Sequence, residues 1–398
     1  MNNNWICNHL GARAHYEMPL ALHNQGKLKY MLTDVWMDNR HLSRIAPNKF
    51  IKKLFQRSNP EIPHFKVKDI TLAALSFEIG QKMKKVEGWD LIMNRNNWYQ
   101  NQISSVLENL EVCETDIFFS FAYTSLKPFD ITAKKKLRNI LYQMDPGLWE
   151  ELLVFEEYEK NPALKTGWTK APNQYWKNWK EELTMADQII VNSEWSKKAL
   201  EKIGIHESKI KIVFLPYKIP DSAQYFKRGY PDKFTKDRPM RVLFLGTLTL
   251  RKGFHRLLEA AKMLEKEPVE FVLVGEKEFD FENRPNLKVF NHVSRAETIE
   301  FYQNSDVFLF PTLSDGFGLT QLEALACKLP VISSLNCGNV VSHGFNGVIL
   351  EENTSQEIAD KVLNLCRNPH ILHEMSANTL DSVKRFSHEK FSEILTSV

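Results

Sequence analysis

The chain has few cysteines, and none falls in a pattern that does chemistry. Five of them in 398 residues (Cys7, Cys113, Cys327, Cys337, Cys366) are scattered, with no C-x-x-C pair and no nearby histidine spacing. This argues against a disulfide framework and against a zinc site, and fits a reducing interior. Concentrated charge of one sign is also missing. A formal net charge of +3 is too weak a field for a dedicated nucleic-acid binder. No apolar run reaches membrane-spanning length, and the first twenty residues lack a charged stretch followed by a long apolar one. No repeat of solenoid or propeller period occurs. A cytoplasmic protein is expected, without nucleic acid as partner. Peripheral contact with the inner membrane face is left open by the basic, aromatic run at 48–58, which reads equally as a solvated face.

What is present is an alternation of apolar strands and amphipathic helices, in a chain that is 43% apolar and long enough for two cores. In the second half, strand patterns at 241–246, 270–275, 287–290, 306–312 and 330–334 alternate with helical ones near Phe254, over 295–304 and from Thr320. Strands that are nearly all Val, Leu, Ile and Phe, separated by helices, predict a parallel sheet covered on both faces. The first half repeats the theme at 115–121, 138–144, 187–192 and 209–216. Residues 218–239, rich in proline and charge, read as a linker. The expectation is α/β, with two doubly wound Rossmann-like domains over 1–218 and 219–398. The last helix, 387–397, is expected to pack back on the first domain.

In such sheets ligands bind beyond the carboxyl ends of the strands, so the loops there carry the chemistry. Residues 314–326, SDGFGLTQLEALA, follow a strand and open a helix. Gly316 and Gly318 allow close backbone approach, and the first amides of the helix suit phosphate or sugar hydroxyls. Asp315 and Glu323 place one carboxylate on the loop and another on the first helical turn. Thr320 and Glu323 also have the spacing of a capping box, which would make Glu323 structural. After the first strand of the second domain, Gly246 gives room, and Arg251 and Lys252 at a helix mouth can bring two positive charges to a diphosphate. An exposed, solvated pair is the plainer alternative.

The first of these loops resembles the E-x7-E signature of the retaining glycosyltransferases of family 4, with Asp315 in place of the first glutamate. The resemblance implies the GT-B fold, a nucleotide-diphosphate sugar such as GDP-mannose or UDP-glucose as co-substrate, and a glycan or lipid-linked acceptor. It requires no metal and no further cofactor. It places Asp315, Gly316, Phe317, Gly318 and Leu319 toward the transferred sugar, with Thr320 beside them and Glu323 on the ribose. The family pattern G-R-x-x-x-x-K-G has Thr247 at its arginine and Lys252 at its lysine, and Arg251 is the candidate replacement charge. NHV at 291–293 resembles the stretch that meets the base, which adds Val293. VGEKE at 274–278 and HGFNGVIL at 343–350 fall in the family's order. Arg251, Lys252 and Asp315 are the catalytic candidates, acting on a leaving diphosphate as its charge grows.

The first domain resembles the family less. Residues 9–22, HLGARAHYEMPLAL, are similar to its glycine-containing first loop, which makes Gly11 and His15 acceptor-side candidates. A lone histidine at a helix start is more often structural. Gln143 and Asp145 either line the cleft or make an ordinary turn. Two other functions compete. A sugar-nucleotide binder without turnover would keep only the donor half. An NAD(P)-dependent oxidoreductase would need G-x-G-x-x-G after a first strand, which GTLTLRKG does not supply.

Overall fold

The computed structural model describes residues 3–37, 57–164, 166–291 and 293–398. Most of the basic run at 48–58 therefore lies outside the described residues, as does His292.

Two parallel sheets form the frame. The first contains β1 (Trp5–His9), β2 (Leu28–Thr33), β3 (Val67–Asp69), β4 (Ile117–Phe121), β5 (Arg138–Gln143), β6 (Gln188–Val191) and β7 (Ile210–Ile212). Their order is β3-β2-β1-β4-β5-β6-β7. The second contains β8 (Met240–Leu245), β9 (Val269–Val274), β10 (Leu287–Phe290), β11 (Val307–Phe310), β12 (Val331–Ser334) and β13 (Gly347–Leu350). Its order is β10-β9-β8-β11-β12-β13. In each sheet the winding reverses beside its first strand, at β1/β4 and at β8/β11, and it is there that strand-to-helix loops diverge and leave a crevice.

The central strands are largely apolar because both of their faces are covered. β4 and β11 are buried at every position. Helices Phe254–Met263 and Ser355–Arg367 cover one face of the second sheet with Phe254, Leu257, Ile358 and Val362. A third apolar cluster runs across the seam between the domains and includes Phe317, Phe386 and Phe391. The C-terminal helix, His388–Thr396, lies on helix Glu17–Asn24 of the first domain. It buries Phe391 and Leu395, and His388 Nε2 meets Glu17 Oε2 at 2.9 Å. The chain thus begins its second sheet at Met240 and ends against the first domain.

The connection between the sheets has some structure of its own. It holds a short helix, Asp221–Tyr225. The Arg228 guanidinium donates to the carbonyls of Tyr302 (2.7 Å) and Cys327 (2.9 Å). These bonds tie the connection to the second domain through backbone acceptors that helix ends leave open.

Candidate functional site

A cavity of about 770 Å³ lies between the domains at the carboxyl ends of β8 and β9. Gly246 and Thr247, just after β8, form part of its wall, as do Val293 and the helix start at Leu319, Thr320 and Glu323. Ala14 and His15 of the first domain face it from the other side. The loop after β9 closes tightly on the loop after β8. A Cβ on Gly275, whose φ is +150°, would stand 1.9 Å from the Gly246 carbonyl oxygen. Only glycine allows that approach, and it keeps the cavity floor made of backbone.

Beside the cavity, three charged groups from two loops of the second domain meet one from the first. Lys252 Nζ donates to Asp315 Oδ2, and Arg251 Nη1 lies 3.6 Å from the same oxygen. Arg251 also donates to the Ser314 carbonyl (3.0 Å) and stands 3.7 Å from Glu150 Oε2, on helix Leu148–Lys160 of the first domain. Burial alone would raise the Asp315 carboxyl, but the charges of Lys252 and Arg251 outweigh it and hold the group below its usual range. The opposite holds for Glu150. Burial, with Asp145 and Asp315 nearby, pushes it up to about 7 despite Arg251.

The loop 314–318 is pressed into the seam. A Cβ on Gly316 would lie 1.9 Å from the Met144 carbonyl oxygen of the first domain, and Trp195 Nε1 donates to Ser314 Oγ at 2.9 Å. Phe317 is 2% exposed, its ring packed near Phe386 at 5.6 Å between centroids, while its amide donates to Asp315 Oδ1 (3.2 Å). Of residues 315–319, Leu319 lies on the cavity wall. Asp315 is instead drawn to the two cations, Gly316 to the first domain and Phe317 to the core. Gly318 is the N-cap of helix Leu319–Ala326, in a left-handed conformation.

That helix start corrects the capping-box alternative. The helix begins at Leu319, so Thr320 lies inside it, and Gly318 has no side chain to cap with. Glu323 sits on the second turn rather than the first and accepts a hydrogen bond from the Tyr302 hydroxyl at 2.8 Å. Its carboxylate is therefore oriented from behind and reaches the cavity wall. The exposed-pair alternative fails for Lys252, which is 17% exposed, and holds in part for Arg251, which is 37% exposed, although both are engaged with Asp315.

In the first domain, His15 belongs to three consecutive residues with positive φ, Ala14 (45°), His15 (50°) and Tyr16 (64°). Such a run is costly for residues with side chains and holds the loop in one shape. Gly11 faces a different cavity and donates its amide to Asp34 Oδ1 at 2.9 Å. Gln143 and Asp145 are knitted into a structural network. Gln143 Nε2 donates to Asp145 Oδ1 (2.8 Å), the Tyr123 hydroxyl donates to the same oxygen (2.6 Å), and Trp179 Nε1 donates to Gln143 Oε1 (2.8 Å).

Glu17, Lys218, Glu276 and His388 also face the 770 Å³ cavity. Glu17 and Glu276 lie in stretches that resemble the family without being singled out there as residues, and Lys218 and His388 carried no signal in the sequence. Lys218 comes from the connection and His388 from the C-terminal helix, so neither sits in a strand-end motif. The hydrogen bond to Glu17 pushes the His388 imidazole above its usual range.

Sequence comparison gives 28% identity over 159 residues to an uncharacterized glycosyltransferase of Methanocaldococcus jannaschii, covering 37% of this chain and 44% of that one. The capsular polysaccharide biosynthesis glycosyltransferase CapM of Staphylococcus aureus is 29% identical over 170 residues, 39% of this chain and 44% of its own. The matched stretches thus span less than half of either relative. Among solved structures, Anabaena HepE in complex with UDP superposes with a TM-score of 0.62 at 14% identity, with 100% of both chains covered. This is likeness of fold. In the described residues, no helix is long and apolar enough to cross a membrane. Residues 229–381, most of the second domain, match the model of glycosyl transferases group 1.

Proposed function

We propose that the protein moves a hexose from a nucleotide-diphosphate sugar to a hydroxyl of a glycan or lipid-linked acceptor, with the nucleotide in the 770 Å³ cavity. The observation that carries this reading is that cavity. It sits at the switch point of the second sheet, has a backbone floor at Gly246, and is flanked by a helix N-terminus at Leu319 and Thr320 and by the oriented Glu323 carboxylate. Free amides of a helix start favour anionic oxygens. A carboxylate fixed by Tyr302 suits two neighbouring ribose hydroxyls, and Val293 offers an apolar wall to the base. HepE holds UDP in the same fold, which favours a UDP-sugar over a GDP-sugar as the first donor to try.

Lys252 and Arg251 are assigned to the diphosphate as it leaves. Asp315 keeps both cations oriented before the donor arrives, so their reorganisation cost is met in folding rather than during reaction. Departure of the nucleoside diphosphate builds negative charge beside them while the sugar passes through an oxocarbenium-like state. The anomeric configuration is proposed to be retained, and the charge on the leaving group to be met by side chains and helix amides rather than by a metal.

The test is release of nucleoside diphosphate from a panel of UDP-, GDP- and ADP-hexoses, with and without EDTA and with glycan acceptors, alongside NAD(P) binding. Turnover with one nucleotide class, unaffected by EDTA, supports the reading. Binding without turnover on any acceptor would favour a sugar-nucleotide binder. Binding of NAD(P) alone would overturn it.

A further inference from the structure

A second cavity, of about 730 Å³, lies wholly in the first domain, and the two cavities share one loop as their common wall. Gly11 and Arg13 face the second cavity, while Ala14, His15 and Glu17 face the first. The left-handed run from Ala14 to Tyr16 is what turns the chain between them.

The charges in that second cavity are unequal in their pairing. Arg57 Nη1 donates to Asp34 Oδ2 at 2.8 Å. Arg95 makes a two-pronged contact with Glu78, at 2.6 and 2.9 Å. Both guanidinium groups are thus neutralised within the wall. Arg13 is different. One of its donors goes to the Ala122 carbonyl (3.2 Å), and its guanidinium lies 5.6 Å from the Phe121 ring centre. Among the described residues no carboxylate forms an ion pair with it. A guanidinium has five N–H donors and cannot lose its charge in a protein, so Arg13 keeps a positive charge on this wall; the buried Glu182 carboxyl feels that charge but makes no ion pair with it. The Trp98 ring, stacked on Phe77 at 4.6 Å, adds a flat apolar wall suited to a sugar face.

We propose that this cavity holds the acceptor and that Arg13 selects a glycan bearing an anionic group, either a carboxylate or a phosphate. The proposal rests on the transferase reading above and adds to it the charge class of the acceptor. Arg13 pairs the anion bidentately, which a neutral sugar cannot reproduce.

Binding to the full-length protein, saturated with the nucleoside diphosphate that it binds best, would be measured by calorimetry with three probes: glucose, glucuronic acid and glucose 6-phosphate. At least one anionic probe is expected to bind about tenfold or more tightly than glucose, and which one does so separates a uronate from a phosphate. Arg13→Gln is expected to bring the three probes to equal affinity. Arg13→Lys should restore part of the preference, since it keeps the charge and loses the fork. Nucleoside diphosphate affinity should stay unchanged in both variants. Equal binding of the three probes by the unaltered protein would overturn the proposal, as would a charge preference that survives in Arg13→Gln. Failure of the transferase reading is separate, because it would appear as no affinity for any nucleoside diphosphate before a probe is added.

Discussion

The two domains share a winding order through their first six strands, yet they use their first loops in opposite ways. After β8 the chain leaves through Gly246 into open space and reaches its cations, Arg251 and Lys252, six residues into the strand-to-helix turn. After β1 it passes through three left-handed residues that carry side chains, and the loop itself becomes the wall between two cavities. One loop is built to admit a ligand to backbone, the other to divide space. On the proposed reading, donor chemistry collects on the second domain, and the first contributes position and, through Glu150, a carboxyl pushed up to about 7 at the seam.

The sharpest way to break this division is to remove its main charge. Lys252→Ala is expected to lower turnover about 100- to 1,000-fold in steady-state kinetics, and also to lower the melting temperature, because the largely buried Asp315 carboxylate loses its nearest cation. Full turnover in the folded variant would mean that the Lys252–Asp315 pair serves the fold alone.

Gly316→Ala probes the seam itself. The added Cβ meets backbone, the Met144 carbonyl, which a rotamer change cannot relieve. A loss of about 1–3 kcal/mol is expected in denaturant unfolding, together with reduced activity. Gly246→Ala, whose Cβ would meet nothing but would stand at φ +148°, should cost stability through backbone strain of about 1–3 kcal/mol and weaken donor binding as well.

Glu150 sharpens the comparison through pH. Its carboxyl is raised from 4.5 to about 7, so the folded protein binds that proton more tightly than the unfolded chain does. The stability associated with it is complete below about pH 4.5 and is lost as pH rises through about 7. Glu150→Gln should therefore melt at the same temperature as the parent near pH 4.5 and higher above pH 7.5, with a difference on the order of 2 kcal/mol. A difference that shrinks as pH rises would show that the charged form is the favoured one. The smallest effect is expected from Ala14→Gly, which relieves one left-handed residue and should stabilise by about 1 kcal/mol or less.

Much of this was legible in the sequence where burial is two-sided. β11 and the last four residues of β8 and of β9 are continuous apolar runs because helices cover both faces, and their loops could be located by counting from strand ends. β2 and β3 were not legible. β2 is LKYMLT, with Lys29 and Tyr30 half-buried, and β3 is a three-residue edge strand. The motif loop showed where the site is but not which of its residues face the cavity. Phe317 reads like a ligand contact and is core, because Phe214 and Phe386 approach it from segments that no local pattern connects to it. His388 reaches the cavity because the C-terminal helix returns to the first domain, and Lys218 reaches it from the connection between the sheets; neither sits in a strand-end motif.

Donor binding at the interdomain cavity is tested most directly by calorimetric titration of UDP into the protein and into Glu323→Ala. Removing a carboxylate held on the cavity wall by Tyr302 is expected to weaken UDP about 10- to 100-fold, the usual cost of losing hydrogen bonds to a charged group, with the melting temperature of the free protein preserved. UDP, GDP and ADP all failing to bind, or binding equally well to Glu323→Ala, would contradict a nucleotide site at this cavity.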